Sequence, residues 1–178
     1  GGRKMVYYAE GPLVIRDLQP GDGEKLAAEE MAQGWQDTRE KYNARLRDQA
    51  AGKAVAMAAL LDGEPVGYIN VYPDAPWGPF GGQGLPEIVD FGVLEKCRRR
   101  GIGGKLMDAA EKVAARYGDT VYLGVGLHSG YGAAQRMYVK RGYVPDGSGA
   151  WYGETVCPAY ADCRNDDDLV LYLSKKLR

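Results

Sequence analysis

Glycines at positions 101, 103 and 104 stand beside a run of basic residues, a combination that suits the binding of an anion. Glycine lets the backbone approach a ligand closely, and the start of a helix presents N–H groups and a partial positive charge. Phosphate is a common ligand of such a helix start. The basic residues around the turn are Arg98, Arg99, Arg100 and Lys105. The turn therefore predicts a pyrophosphate site, although a basic, solvated helix start would have the same composition.

The spacing of these residues differs from the common nucleotide-binding motifs. It lacks the GxxxxGK pattern followed by Ser or Thr, and it is not GxGxxG. It resembles instead the acetyl-CoA signature R/Q-x-x-G-x-G/A of the GNAT superfamily of N-acetyltransferases, which Arg98, Gly101 and Gly103 match. The resemblance predicts acetyl-CoA as the cosubstrate.

A second stretch is similar to another GNAT motif, a short helix with a tyrosine followed four residues later by glycine and an aromatic residue. Tyr138, Gly142 and Tyr143 match it, and Ala134 stands at its usual place. Together with the order of the strands, the two motifs cover about residues 13 to 144. Two motifs in the right order and spacing are more specific than either alone.

The resemblance implies a role for each matching residue. In the family, the backbone of the strand before the turn pairs with the pantetheine arm, and main-chain N–H groups of the turn wrap the pyrophosphate. Tyr138 takes the position of the general acid that protonates the coenzyme A thiolate. Tyr131 stands where the family often has an asparagine that helps hold coenzyme A, so it departs from the pattern. The implied cofactor residues are Phe91, Gly92, Val93, Arg98, Arg99, Arg100, Gly101, Ile102, Gly103, Gly104, Lys105 and Tyr131.

The acceptor must attack as a free amine, and an alkyl ammonium has a pKa of about 10, so a base must remove its proton. Glu87 lies at the spacing from Val93 where some GNAT members carry a catalytic glutamate. Asp90 is the alternative, but side chains alternate along a strand, so the two carboxylates are expected on opposite faces of the sheet. Either could equally be a hydrogen-bonded carboxylate at a strand edge.

Two further residues are candidates for contact with the acceptor. Trp35 offers apolar area and a polar N–H, and His128 follows a predicted strand. A packing role for the tryptophan and a structural or solvated role for the histidine are the alternatives.

The whole chain of 178 residues is predicted to form a single domain, 1–178, in which residues 1–4 could be the remnant of a tag. Its formal net charge of −1 disfavours nucleic acid as a partner. With no apolar run long enough to span a bilayer, no membrane partner is expected and a cytoplasmic location is predicted. The expected partner is a small-molecule or peptide amine, and the protein is expected to be a monomer or homodimer.

Cysteine and histidine content argues against metal and disulfide chemistry. The three cysteines are an odd number without CxxC spacing, which argues against both a disulfide framework and a zinc site. With one histidine in the chain, no metal cofactor is expected.

The elements that must position these residues follow from apolar periodicity and turn residues. Asp62-Gly63 between two apolar runs predicts a hairpin, Asp37 is a candidate helix N-cap, and residues 73–86 are expected to form a long loop. Strands are predicted at 13–18, 54–61, 65–72, 87–94, 121–127 and 169–173, with one more at 143–152, and helices at 24–33, 37–51, 102–117 and 133–140. The order predicts a mixed α/β fold similar to GNAT proteins, with a mostly antiparallel central sheet, a splayed strand pair and helices on both faces.

The predicted function is transfer of an acetyl group from acetyl-CoA to a primary amine by direct attack, with a backbone N–H near Val93 polarising the thioester carbonyl. The alternative is an acyl-CoA-binding sensor or regulatory module without turnover. The Gly-rich turn is compatible with both hypotheses, whereas the match of Tyr138 to the tyrosine position of the second motif favours the enzyme.

Overall fold

The computed structural model describes residues 5–178, so the proposed tag residues 1–4 lie outside the described part. It contains nine strands and four α-helices in a mixed, mostly antiparallel arrangement, which confirms the predicted fold class. The strands are β1 Val6–Glu10, β2 Leu13–Asp17, β3 Val55–Leu61, β4 Glu64–Tyr72, β5 Glu87–Val93, β6 Thr120–Gly126, β7 Val144–Tyr152, β8 Thr155–Val156 and β9 Leu169–Lys176. The helices are α1 Pro20–Ala32, α2 Arg39–Ala50, α3 Ile102–Ala114 and α4 Gly132–Lys140.

The chain forms two compact units. The first comprises the described residues up to Tyr72 together with Ile88–Val113, and the second comprises Pro73–Glu87 and Ala114–Arg178. The organisation of 1–178 as one domain stays a prediction. Within the described residues, no helix has the length and apolar character needed to cross a membrane.

The first unit is built on the antiparallel ladder β1-β2-β3-β4, with β5 beside β4. The β3-β4 hairpin turns at Asp62 and Gly63, which have φ of 51° and 81°, so both turn residues adopt the left-handed region that this two-residue turn requires. The local Asp-Gly signal is confirmed. Buried side chains of the sheet and of α1 and α3 form the core, among them Ile15, Leu26, Met57, Ile69, Leu106, Ala110 and Val113.

In the second unit, β6 pairs with β9, β9 with β7 and β7 with β8, all antiparallel. Glu87, the first residue of β5, belongs to this unit and pairs in parallel with Tyr122 of β6. The predicted loop at 73–86 is confirmed as a connection without α-helix or strand, although Gly78–Phe80 forms one 3-10 turn.

Helix starts differ from the prediction in two places. α1 begins at Pro20 and not at residue 24, because proline suits the first helical position and Asp22 completes a capping box with Gln19. The N-cap of α2 is Thr38 and not Asp37. Asp37 lies just before it, where its carboxylate accepts the backbone N–H of Arg39 at 3.0 Å.

Cys157 and Cys163 form a disulfide with 6.5 Å between their Cα atoms, so the prediction from the odd cysteine count was wrong. The count misled because Cys97 is a buried free thiol in the first unit. The other two cysteines share the segment between β8 and β9, where six positions separate them. Strands β1 and β8 were also missed, and β9 extends to Lys176.

Candidate active site

The glycine-rich turn leads from β5 into α3. Lys105 donates its backbone N–H to the Gly101 carbonyl at 3.2 Å, which is the first hydrogen bond of the helix. The N–H groups of residues 102–104 consequently have no acceptor within α3. Arg99 and Gly101 have φ of 67° and 77°, a left-handed backbone that turns the chain sharply ahead of these donors.

The basic side chains of this turn are exposed. Arg98 donates through Nε to the Val93 carbonyl at 3.4 Å, and the Lys105 ammonium lies 5.2 Å from the ring centroid of Tyr8. Exposed cations and unsatisfied helix N–H groups produce a positive potential that favours an anion. The turn is therefore suited to an anion, and its binding of the pyrophosphate of coenzyme A stays a prediction.

Strand β5 is irregular at its centre. Asp90 has a φ of 52°, which is uncommon for a residue other than glycine. The Asn70 amide donates to the carbonyls of Val89 and Asp90 at 3.0 and 3.1 Å, so a side chain satisfies backbone acceptors where the strand departs from regular geometry. Regular alternation of side chains can therefore not be assumed between Glu87 and Asp90. The alternation argument consequently no longer selects one of the two carboxylates as the base.

The Asp90 carboxylate forms an ion pair with Arg45. Arg45 also donates to the Tyr72 hydroxyl at 2.6 Å, and that hydroxyl donates to Asp48 at 2.5 Å. Asp90 is thus part of a network on the first unit and is held by a guanidinium. This arrangement disfavours Asp90 as the base that receives the amine proton.

Gly92 allows a close approach between β5 and a buried tyrosine. A Cβ atom at Gly92 would lie 2.8 Å from the hydroxyl oxygen of Tyr68. That hydroxyl also accepts a hydrogen bond from Lys41 Nζ at 2.9 Å, and the ammonium lies 4.3 Å from the Tyr68 ring centroid. Burial lowers the pKa of Lys41, and the nearby Glu30 carboxylate partly opposes that shift.

Trp35 and Val93 line the same shallow depression of the first unit. Trp35 is 39% exposed, and the buried carboxylate of Glu30 and the side chain of Gln33 share the depression with it. The structure therefore brings one predicted acceptor residue together with one predicted cofactor residue. Sequence reasoning missed Glu30, Gln33, Lys41 and Tyr68, because no local pattern distinguishes them from ordinary helix and strand residues.

In the second unit, Glu87 is buried beside the hydroxyls of two tyrosines. Burial, reinforced by the Glu87 carboxylate, raises the pKa of Tyr122 above its usual range and the pKa of Tyr172 to about 12. The Tyr122 hydroxyl also donates to the Trp77 carbonyl at 2.6 Å. The Glu87 side chain thus lies buried near two tyrosines.

Tyr138 lies on α4, is buried, and packs against Tyr143 with 5.8 Å between ring centroids. Burial, followed by the neighbouring Tyr131, raises the pKa of Tyr138 well above its usual range. The hydroxyl therefore keeps its proton at neutral pH, which a general acid requires. The Tyr131 ring packs so closely on Gly126 that a Cβ atom there would clash with it.

His128 is engaged at both ring nitrogens. Its Nδ1 accepts the Gly130 backbone N–H at 3.0 Å, so Nε2 carries the proton and donates to Asp167 at 2.7 Å. The bond from Gly130 caps the short 3-10 turn at 129–131, which is a structural role. Contact between His128 and the acceptor stays a prediction.

Among residues 5–178, no cluster of three or more His, Cys, Asp or Glu side chains has an arrangement that could hold a metal ion.

Comparison with known proteins identifies the family. The model of the acetyltransferase (GNAT) family matches residues 22–143, and the chain belongs to that family. This membership supports acetyl-group transfer as the class of activity. No curated protein matches the sequence.

Solved structures show the same fold at low sequence identity. Ard1 from Thermoplasma volcanium has a TM-score of 0.66 and 21% identity, covering 93% of this chain and 98% of its own. For yncA from Salmonella typhimurium, solved with its cofactor acetyl-CoA, the TM-score is 0.65 and the identity 16%, with 94% and 95% covered. An aminoglycoside 6'-N-acetyltransferase in complex with coenzyme A has a TM-score of 0.65 and 20% identity, with 92% and 97% covered.

The packing at Gly92 generates a stability prediction. Gly92→Ala should lower the free energy of unfolding by about 1–3 kcal/mol, because the added methyl group forces the buried Tyr68 ring away from β5. Gly104→Ala is the matched control: a Cβ there meets nothing within 4 Å, and alanine favours the helix. Urea denaturation of both variants measures the difference. Equal stability of the two would contradict the close approach.

Proposed function

We propose that the protein is an N-acetyltransferase that transfers the acetyl group of acetyl-CoA to a primary amine by direct attack. The observation that carries the proposal is the exposed arginine- and glycine-rich turn at the start of α3, in a member of the GNAT family. Proteins of similar fold have been solved with acetyl-CoA and with coenzyme A. A chain of 1–178 acting as one catalytic domain is part of the proposal. The oligomeric state and the cytoplasmic location stay predictions.

The residues of the first unit fit the coenzyme chemically. The N–H groups of residues 102–104 are available to the pyrophosphate, and the cations from Arg98 to Lys105 neutralise its charge. The backbone of Phe91, Gly92 and Val93 would pair with the pantetheine arm, as the family resemblance implies. The positive φ of Asp90 supports this pairing with the pantetheine arm, because it interrupts the regular strand geometry just before Phe91.

The proposed reaction needs a neutral amine and a stabilised leaving group. The amine nitrogen attacks the thioester carbonyl carbon, the C–S bond breaks, and a backbone N–H near Val93 stabilises the charge on the carbonyl oxygen. Tyr138 donates its proton to the departing sulfur, and Glu87 accepts the amine proton through water. The buried side chain of Cys97 supports direct transfer over a cysteine-bound intermediate.

A non-catalytic acyl-CoA sensor is the second candidate, since the coenzyme turn alone would serve it equally well. The position of Tyr138 in the family motif favours the enzyme. Release of coenzyme A thiol from acetyl-CoA, followed with a panel of amines, peptides and aminoglycosides, separates the two. Tight coenzyme binding without acceptor-dependent thiol release would establish the sensor.

Coenzyme binding should depend on the backbone of the turn more than on any one arginine. Gly103→Val should raise the Kd for coenzyme A by about tenfold or more, because a branched side chain blocks the approach of phosphate to the helix N–H groups. Arg99→Ala, which removes one exposed cation, should have a smaller effect. Isothermal titration calorimetry measures both. A Gly103→Val variant that binds like the wild type would refute the assignment of the pyrophosphate site.

Replacing the proposed acid should affect turnover and spare coenzyme binding. Tyr138→Phe should lower kcat by about 100-fold and leave the Kd for acetyl-CoA unchanged, because a leaving-group acid acts in the transition state. Since the pKa of Tyr138 is raised, the hydroxyl stays protonated as the pH rises, and it should contribute no loss of kcat below about pH 10. A kcat profile between pH 6 and 10 tests this, and undiminished turnover in the variant would exclude Tyr138 from the mechanism.

The proposed base generates a prediction about the acidic limb of the kcat/KM profile. Glu87→Gln keeps the shape of the side chain and should abolish that limb, because the amide cannot accept the proton. Asp90→Asn should leave the limb in place, since the Asp90 carboxylate is paired with Arg45. If the limb survives Glu87→Gln and disappears in Asp90→Asn, the roles are reversed. If it survives both, deprotonation of the amine itself sets it.

A further inference from the structure

The shallow depression that contains Trp35 and Val93 also contains two polar side chains with unused hydrogen-bonding capacity. Glu30 and Gln33, both near the C-terminal end of α1, line it together with Tyr68. All of these residues belong to the first unit. Buried polar atoms in native proteins are nearly always hydrogen-bonded, so an unsatisfied pair in one depression requires an explanation.

Glu30 is 1% exposed, and its two carboxylate oxygens differ. Oε1 accepts hydrogen bonds from the Tyr42 hydroxyl and, at 3.3 Å, from the Thr38 hydroxyl. Oε2 is buried and has no hydrogen-bond partner among residues 5–178. The Lys41 ammonium lies 3.9 Å from Oε2, which is beyond hydrogen-bond range, and donates to Tyr68 instead. One buried carboxylate oxygen therefore lacks a hydrogen-bond donor within the described residues.

Gln33 supplies the complementary group. Its Oε1 accepts the backbone N–H of Glu95 at 3.1 Å, and this bond determines the orientation of the amide. The NH₂ group is consequently the remaining donor, and Nε2 is buried without a hydrogen-bond partner in the part of the chain that the structure describes. The depression thus presents one anionic acceptor and one neutral donor.

A ligand that complements both groups carries an amine for the acceptor and a carbonyl oxygen for the donor. An α-amino group followed by its own amide carbonyl, as in an amino-acid amide or the first residue of a peptide, has both. A simple alkylamine has only the first. Val93, which is proposed to stabilise the thioester carbonyl, lines the same depression, so an amine bound there lies beside that strand residue.

We propose that this depression is the acceptor site and that it selects α-aminoacyl groups, with Glu30 Oε2 accepting from the amine and Gln33 Nε2 donating to the adjacent carbonyl. The assignment rests on the proposed acetyltransferase function. Glu30 and Gln33 are binding residues in this scheme, and Trp35 at the exposed rim contacts the remainder of the acceptor. The buried carboxylate attracts the amine as a cation, which then loses its proton before it attacks.

Two conservative variants test the pair separately. Glu30→Gln can retain an oxygen for Tyr42 and Thr38 and removes the anionic acceptor, so the KM for alaninamide and for propylamine should both rise about tenfold or more. Gln33→Glu retains the acceptor for Glu95 and removes the donor. The ratio of kcat/KM for alaninamide to kcat/KM for propylamine should be about tenfold lower in this variant than in the wild type. Because both proteins are tested with the same two amines, the pKa values of the amines cancel in this comparison.

Glu29→Gln is the matched control. Glu29 is the preceding residue of α1 and forms an exposed ion pair with Lys96, so its loss should leave acceptor kinetics unchanged. Circular dichroism and the Kd for coenzyme A verify that each variant is folded. If Glu30→Gln does not fold, the alaninamide to propylamine ratio of Gln33→Glu decides the question.

Calorimetric titration of alaninamide into the coenzyme A-loaded protein separates the two proposals. Binding that is weakened in both variants supports the site even if no amine is acetylated, in which case only the proposed transferase function fails. Acetylation of amines with kinetics that are unchanged in Gln33→Glu would retain the transferase and overturn the acceptor site. Failure of the wild type to bind alaninamide or to prefer it over propylamine would overturn it as well.

Discussion

A positive φ is uncommon for a strand residue other than glycine, and Asp90 has φ of 52° in the middle of β5. Asn70 stabilises this geometry, because its buried side-chain amide donates hydrogen bonds to the backbone carbonyls of Val89 and Asp90. Past this point lie the residues proposed to pair with the pantetheine arm. Gly92, two residues after Asp90, leaves space for the Tyr68 ring, and the Tyr68 hydroxyl accepts a hydrogen bond from Lys41, which lies beside Glu30. The irregular strand therefore determines both the proposed coenzyme surface and the packing next to the depression.

The first unit combines two electrostatic environments. The turn at the start of α3 presents exposed cations and helix N–H groups, which suit a phosphate that arrives hydrated. Glu30 is buried, with Tyr42 and Thr38 donating to one carboxylate oxygen and the Lys41 ammonium 3.9 Å from the other. Hydrogen bonds and pairing offset the cost of burying a carboxylate, and only Oε2 lacks a hydrogen bond among the described residues. In the second unit, burial acts on tyrosines and keeps the Tyr138 hydroxyl protonated.

The fold was predicted best where the signal is local. The Asp62-Gly63 turn, the start of α3 at residue 102 and the start of β2 at residue 13 depend on residues adjacent in the chain, and they appear as expected. The start of α1 was predicted at residue 24 and lies at Pro20, because proline suits the first turn of a helix and Asp22 forms a capping box with Gln19. The short strands β1 and β8 gain their pairing from β2 and β7, so their own sequences carry little signal.

The sequence by itself determined a basic, glycine-rich helix start, because three glycines and four cations lie within eight residues, and such a start suits a backbone anion site. It also determined Tyr138 as a candidate acid through motif spacing. Only the tertiary structure disfavoured Asp90 as the base, since the Arg45 that pairs with it lies 45 residues earlier in the chain. The same holds for Glu30 and Gln33. In the sequence they are ordinary polar residues of a helix, and their hydrogen-bonding capacity becomes informative only when folding buries them beside Val93 and removes the water that would otherwise satisfy them.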